Sequence, residues 1–215
     1  MAKTKEKKKP TSTLGKIWKF IWEDNSVWSW IANIILAFII IKFLFYPFLG
    51  LIFHTGFPIV AVVSESMEHN DGFYDWWYQD ARCIDGDKCA QWEWYLERDI
   101  KEEDFKKFDF SNGFNKGDII FLVGKAPEEI KAGEVIVYQA GKAYPIIHRV
   151  VDSWEQNSTI YFKTKGDNNP DSIQDARLNE NKVSSTQLLG KAVFKVPWLG
   201  YVKIWFVDLI NLIAR

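Results

Sequence analysis

The sequence predicts a mainly β protein that follows one N-terminal transmembrane helix, and two observations lead to this prediction. An apolar run occupies residues 27–53 with Lys42 as its one charge, and about 20 apolar residues are enough to span a bilayer core. Beyond it, short stretches rich in Val, Ile, Tyr and Phe alternate with Gly, Pro and Asn turns, a pattern typical of antiparallel strands. We therefore expect a coiled antiparallel β-domain with an acidic, Trp-rich insertion and a C-terminal amphipathic helix.

The first 26 residues are predicted to form a basic cytoplasmic tail and a short interfacial helix. Seven lysines and one acid lie in the first 20 residues. The stretch 14–22 mixes lysines with apolar residues, which suits an anionic membrane surface. By the positive-inside rule this end is predicted to be cytoplasmic, so the segment 54–197 is expected to lie outside the cell membrane. A cleaved signal peptide is the competing interpretation, but the apolar run is too long and no small-x-small site follows it.

Six strands are expected in the segment 54–197. They are Pro58–Val63, Asp118–Val123, Glu134–Gln139, Pro145–Val151, Thr159–Thr164 and Gly190–Val196. Two of them begin with similar Gly-acid turns, Lys116-Gly-Asp and Ala132-Gly-Glu. Repeated hairpin entries of this kind favour an antiparallel sheet over a parallel one.

Residues 69–115 interrupt the strand pattern and are predicted to be an insertion, with a lid as one possible role. Twelve acids and six basic residues lie between positions 71 and 109, together with many Trp and Tyr. Cys83 and Cys89 are compatible with a small disulfide loop outside the cytoplasm or with two free thiols. They are too few to form a structural zinc site. The net charge of −1 points to no particular partner, and we expect no nucleic-acid partner.

The C-terminal segment 198–215 has a helical pattern with its polar residues on one side. It is short and charged for a spanning helix. We expect a membrane-associated interfacial helix, with a second span as the alternative.

Candidate chemistry lies in three local motifs. The first is Ser64-Glu-Ser66-Met67, directly after an apolar strand. A serine hydroxyl needs a neighbouring base to act as a nucleophile. The second contains His148, followed by Arg149, in a strand-like run. An imidazole there can serve as a general base near neutral pH.

The third motif is Gly166-Asp167-Asn168-Asn169, which continues to Asp171 and Asp175. Several carboxylates in nine residues could orient a base or bind a cation. A calcium loop is excluded by the spacing and by the missing terminal Glu, and we expect no metal. The structural alternative is an Asx-rich turn.

In this order, the three motifs resemble the signal peptidase I family. The resemblance covers roughly residues 57–67 and 115–195, together with the preceding anchor. The bacterial branch has a lysine before the Arg-Val pair, where this chain has His148. The sequence is therefore more similar to the archaeal and endoplasmic-reticulum branch, in which serine, histidine and aspartate carry the reaction.

The resemblance implies a role for each matched residue. Ser66 would be the nucleophile and His148 the general base, with Ser64 and the Ser66 backbone N–H stabilising the oxyanion. Asp175 would orient His148, with Asp171 as the alternative acid. Asp167 would hold the local structure or support the base. His69, which follows the Met box where many relatives have proline, is a minor candidate for the base.

The resemblance also implies a membrane-bound serine endopeptidase that removes signal peptides from exported preproteins without a cofactor. Its partners would be preproteins with small residues before the cleavage site, membrane lipid and, as a candidate, the secretion translocon. The alternative is a membrane-anchored, non-catalytic β-domain that binds partners through its Trp-rich insertion. In that case Ser66 and His148 need not be close together.

Overall fold

The computed structural model describes residues 12–69, 71–79, 81–82 and 88–199. Two predictions from the sequence therefore lie outside the described residues: the Cys83–Cys89 disulfide, and all but the first two residues of the C-terminal helix at 198–215. The same applies to residues 1–11 of the basic tail. The chain divides into two units, residues 1–49 and residues 50–215.

The first unit is helical. Helix α1 (Thr13–Trp22) begins at Ser12, whose side chain accepts a hydrogen bond from the Gly15 N–H. After a turn, Val27–Phe53 forms one apolar helix long enough to cross a membrane. It consists of α2 (Val27–Ile40), a π-helical segment (Ile41–Phe45) and α3 (Tyr46–Phe53).

The helix continues past Pro47. Proline lacks an N–H and its ring clashes with the carbonyl four residues earlier. That carbonyl belongs to Phe43, within the π-helical segment. The wider π turn changes the spacing of the carbonyls at this point, so the helix passes through the proline.

The second unit is built on a seven-stranded antiparallel sheet, which confirms the mainly β prediction. Its spatial order is β1–β4–β11–β5–β6–β7–β10. These strands are β1 (Ile59–Ala61), β4 (Ile119–Val123), β5 (Val135–Tyr138), β6 (Ile146–Gln156), β7 (Thr159–Lys165), β10 (Val183–Ser184) and β11 (Leu188–Val196). Two small ribbons accompany the sheet: β2 (Ala81–Arg82) with β3 (Lys88–Cys89), and β8 (Gln174–Asp175) with β9 (Leu178–Asn179).

All six strands expected from the sequence are present, and β10 is an addition. The two Gly-acid turns lead into β4 and β5 as predicted, and both Gly117 and Gly133 have positive φ. At Gly133 a Cβ would lie 2.3 Å from a ring carbon of Phe108. The position therefore requires glycine for both its backbone conformation and its packing.

The insertion carries three short helices, α4 (Phe73–Gln79), α5 (Gln91–Leu96) and α6 (Glu102–Phe105). Their aromatic side chains form a cluster of their own. Its buried members are Phe73, Trp76, Trp77, Tyr95, Ile100, Phe105 and Val151. Because Val151 belongs to β6, the insertion packs on one face of the sheet, and β6 is buried on both faces between His148 and Val151.

A buried ion pair joins the insertion to the sheet. Arg149 on β6 and Asp167 both have fully buried side chains, and Arg149 donates two hydrogen bonds to the carboxylate, at 2.9 and 2.6 Å. The guanidinium also donates to the carbonyls of Asp109 and Phe110 in the insertion and of Gly133 before β5. The Arg149 side chain therefore connects the insertion, the turn before β5 and the loop that carries Asp167.

We expect Arg149→Lys to destabilise the β-domain by about 3–5 kcal/mol, because an ammonium lacks the donors to satisfy Asp167 and three carbonyls at once. Denaturant unfolding in detergent, followed by tryptophan fluorescence, measures this. The control is Lys107→Ala, an exposed cation in the insertion, which should change stability by less than about 0.5 kcal/mol. Equal stability of the two variants would contradict the prediction.

Asp167 should make stability depend on acid pH. Burial alone would raise its pKa, but the Arg149 guanidinium and the hydrogen bond from His69 hold the pKa of Asp167 well below its ordinary value. Its contribution is therefore complete above the unfolded-state pKa of about 4 and declines as the pH falls further. Asp167→Asn should be less stable at pH 7 and show a flatter loss of stability below about pH 4. An unchanged acid slope in this variant would contradict the assignment.

Candidate active site

Ser66 lies on a short loop that is held at both ends by buried residues. Val62 before it and Met67 after it belong to the same hydrophobic cluster. The Phe114 N–H donates to the Met67 carbonyl at 3.0 Å. The loop between them is thus fixed while Ser64 and Glu65 remain exposed and Ser66 is half-buried.

The structure brings Ser66 and His148 together, as the motif order suggested. His148 is buried on β6, and its Nε2 lies 2.9 Å from Ser66 Oγ. Ser64 Oγ lies 3.1 Å from Ser66 Oγ. A serine hydroxyl within hydrogen-bond reach of an imidazole is the arrangement required for general-base activation of a nucleophile.

The carboxylate that contacts His148 is Glu180, a residue that the sequence analysis did not single out. Glu180 Oε1 accepts a hydrogen bond from His148 Nδ1, and Glu180 is fully buried. This contact assigns the proton to Nδ1 and leaves Nε2 free to accept the Ser66 hydroxyl.

Four further contacts hold Glu180 in place. Its Oε1 accepts hydrogen bonds from Tyr138 OH at 3.1 Å and Thr164 Oγ1 at 3.0 Å, and its Oε2 accepts the Ile173 N–H at 2.8 Å. Its backbone carbonyl accepts the Thr164 N–H. Burial opposes ionisation, but His148 and these donors keep the pKa of Glu180 below its ordinary value, so the group is a carboxylate at neutral pH.

Neither Asp175 nor Asp171, the two acids expected beside His148, has a contact with it in the structure. Asp175 is exposed, binds Lys142 Nζ at 2.7 Å and accepts the backbone N–H groups of Arg177 and Leu178. Asp171 is also exposed and accepts from Trp94 Nε1 at 2.8 Å. The β8–β9 ribbon explains why Asp175 does not reach His148. It places Asp175 at the surface, and the chain returns to His148 at Glu180, five residues later.

Glu180 could not be found from the local sequence. It follows the last residue of β9 in Leu178-Asn179-Glu180-Asn181, a stretch that contains no recognisable motif. Its approach to His148 depends on the ribbon and on the β7 backbone, which pairs with it through Thr164.

Asp167 and His69 form a second buried group, separate from the Ser66 hydroxyl. His69 Nε2 lies 3.0 Å from Asp167 Oδ2, and the ring stacks on Trp76 with centroids 3.6 Å apart. Burial lowers the pKa of His69, so its imidazole is neutral and donates to Asp167. In this geometry His69 and Arg149 both donate to Asp167, and the structural role of Asp167 stays a prediction.

An apolar cleft of about 330 Å³ opens beside Ser66 and His148. Its lining includes both serines, His148 and Asn169. The apolar part of the lining consists of Ala61, Val63, Ala143, Tyr144, Pro145, Ile146, Ile147, Ile173 and Leu178. Strand β1 stands at one end of the sheet order and pairs only with β4 among the described strands. Its free edge can accept an extended peptide by strand addition.

Within the described residues, no group of three or more His, Cys, Asp or Glu side chains is arranged to hold a metal ion. The polar side chains of the site are instead hydrogen-bonded to one another: Ser66 contacts Ser64 and His148, and His148 contacts Glu180.

Comparison with known proteins supports the resemblance suggested by the motifs. The signal peptidase complex catalytic subunit SEC11C of Homo sapiens is 36% identical over 100 residues, covering 44% of this chain and 51% of the relative. The SEC11 subunit of Colletotrichum graminicola is 35% identical over 94 residues, covering 42% of this chain and 55% of the relative. The SEC11 subunit of Sclerotinia sclerotiorum matches to the same extent.

No protein-family model matches the chain. The chain spans about half the length of the curated relatives it matches. Over that part, its homologues are SEC11-type catalytic subunits, the endoplasmic-reticulum type of the signal peptidase I family.

Proposed function

We propose that this protein is a membrane-anchored serine endopeptidase that removes signal peptides from exported preproteins. The observation that carries the proposal is the chain of contacts from Ser66 Oγ to His148 Nε2 and from His148 Nδ1 to Glu180. The similarity to SEC11 catalytic subunits supports the substrate class. A non-catalytic binding domain would not require a serine, a histidine and a carboxylate that are hydrogen-bonded in this order.

In the proposed reaction, His148 Nε2 takes the Ser66 proton as Oγ attacks the scissile carbonyl. Glu180 holds the imidazole in its Nδ1–H form and stabilises the imidazolium that develops. The tetrahedral oxyanion accepts hydrogen bonds from the Ser66 backbone N–H and the Ser64 hydroxyl. His148 then protonates the leaving amine, and water, activated by the same imidazole, releases the acyl group from Ser66.

The cleft fits an extended peptide with small side chains next to the scissile bond. Its walls are mostly apolar, with Lys142 also in the lining, and its volume is modest. The edge of β1 offers backbone groups to the substrate. We propose preproteins as substrates, membrane lipid as the surrounding medium and the secretion translocon as a neighbouring partner. The apolar helix Val27–Phe53 is the proposed anchor.

The roles of the acids can be separated by two isosteric substitutions. Glu180→Gln should lower kcat by up to about 10⁴-fold, because the amide removes the charge that stabilises imidazolium and allows the wrong tautomer. Asp175→Asn should stay within a few-fold of wild type, since Asp175 pairs with Lys142. Cleavage of a purified model preprotein measures both, with Ser66→Ala as the inactive reference. Loss of activity in Asp175→Asn with retention in Glu180→Gln would restore Asp175 as the orienting acid.

The proposed topology places the lysine-rich N-terminus in the cytoplasm and residues 57–197 outside the cell membrane. In closed vesicles of known orientation, protease should digest the β-domain only when the extracytoplasmic face is accessible. Antibodies against tags at residue 1 and in the β-domain identify the protected fragments. Digestion of the β-domain from the cytoplasmic face would reverse the assignment.

A further inference from the structure

The position of Ser66 depends on the loop formed by residues 166–171. The Asn168 N–H donates to the Ser66 carbonyl at 2.8 Å, and the Asn168 side chain donates to the Glu65 carbonyl at 3.2 Å. At Gly166 a Cβ would lie 2.8 Å from both His148 Nε2 and the Ser66 carbonyl oxygen. The 166–171 loop therefore contacts the nucleophile and the base directly.

Side chains of the insertion hold this loop from the other side. Trp76 Nε1 donates to the Asp167 carbonyl at 3.0 Å, and Tyr95 OH donates to the Asp167 carboxylate at 3.2 Å. Gln91 Nε2 donates to the Asn169 carbonyl at 3.1 Å. These donors come from α4 and α5, and all three residues are buried.

Gln91 also connects the loop to the buried amino group of Lys165. Lys165 Nζ donates to Gln91 Oε1 at 2.6 Å and to the carbonyls of Gly166 and Asp167 at 3.1 and 3.2 Å. Its ammonium lies 5.0 Å from the ring centroids of both Trp94 and Tyr95. Burial lowers the pKa of Lys165 to about 7. Trp94 and Tyr95 of the insertion thus lie against the Lys165 amino group, and Gln91 accepts one of its hydrogen bonds. Lys165 in turn donates to the backbone at the start of the 166–171 loop.

The insertion is built as a rigid support. Its polar contacts project from the aromatic cluster, in which Trp76, Tyr95 and Phe105 have no exposed surface. None of its described residues lines the cleft beside Ser66, although a lid would be expected to do so. Small displacements of reacting groups, of about 1 Å, can reduce a rate by about 10²-fold, so a fixed loop has catalytic value.

We propose that the insertion at residues 69–115 is a positioning element: it holds the 166–171 loop, and through Asn168 it holds Ser66, in the reactive geometry. Trp76 and Gln91 are the positioning residues that act through this loop. The inference rests on the proposed peptidase function, because it assigns the insertion a role in the same reaction.

Two neighbouring tryptophans provide a matched test. Trp76→Phe removes the donor to the Asp167 carbonyl and retains an aromatic ring. Trp77→Phe makes the same change in the same cluster, where the ring of Trp77 packs on Phe73, Tyr95 and Phe105. No hydrogen bond from Trp77 to the loop is present among the described residues. A second variant, Gln91→Leu, removes both the Asn169 and the Lys165 contacts with little change in size.

The measurements are kcat and KM for a model preprotein, and the rate at which a small fluorophosphonate labels Ser66. Circular dichroism establishes the folded fraction. We expect Trp76→Phe and Gln91→Leu to lower kcat and the labelling rate together by about 10- to 100-fold, with KM nearly unchanged. Trp77→Phe should lose stability and keep both rates once the folded fraction is taken into account.

The outcomes distinguish the two proposals. Wild-type rates in Trp76→Phe and Gln91→Leu, or an equal loss of rate in Trp77→Phe, would overturn the positioning role and leave the peptidase function intact. A wild-type protein that neither cleaves the preprotein nor reacts with fluorophosphonate, with Ser66→Ala as reference, would overturn both.

Discussion

The buried pair of Arg149 and Asp167 is the constraint on which the arrangement of the β-domain depends. Two charges taken out of water are tolerated only when every donor and acceptor is satisfied, and here the guanidinium meets a carboxylate and three carbonyls. Those partners belong to the insertion, to the turn before β5 and to the 166–171 loop. Because the Arg149 guanidinium needs all of these acceptors, its hydrogen bonds fix the relative positions of the three segments. The same loop then sets the backbone of Ser66.

The site keeps its two acids in different roles by giving them different partners. Asp167 faces a permanent cation and a neutral imidazole, His69, so its charge is already neutralised and serves structure. Glu180 faces His148 and three neutral donors, so its charge remains available to the imidazolium that would form in the proposed reaction. Both groups are buried, and burial strengthens each interaction because little water competes for the carboxylates.

The agreement between sequence and structure is best where a signal is local. The apolar helix, the six strands and the Gly-acid turns follow from hydrophobic periodicity and from backbone conformations that glycine allows. The pairing of Ser66 with His148, 82 positions apart, followed from the order of motifs and their resemblance to a known family. The expectation for the orienting acid did not hold, because spacing along the chain cannot show that the β8–β9 ribbon turns Asp175 toward Lys142 and brings Glu180 inward.

By itself, the sequence determined the class of fold and the apolar helix long enough to cross a membrane, and it predicted Ser66 and His148 as partners, since these depend on residue type, period, local turn chemistry and the order of the motifs. Tertiary structure alone decided which carboxylate meets His148 and which groups the insertion contacts. Both depend on contacts between segments that are distant along the chain: Glu180 with Thr164 and Tyr138, and Gln91 with Lys165 and Asn169. No periodicity in the sequence encodes such contacts.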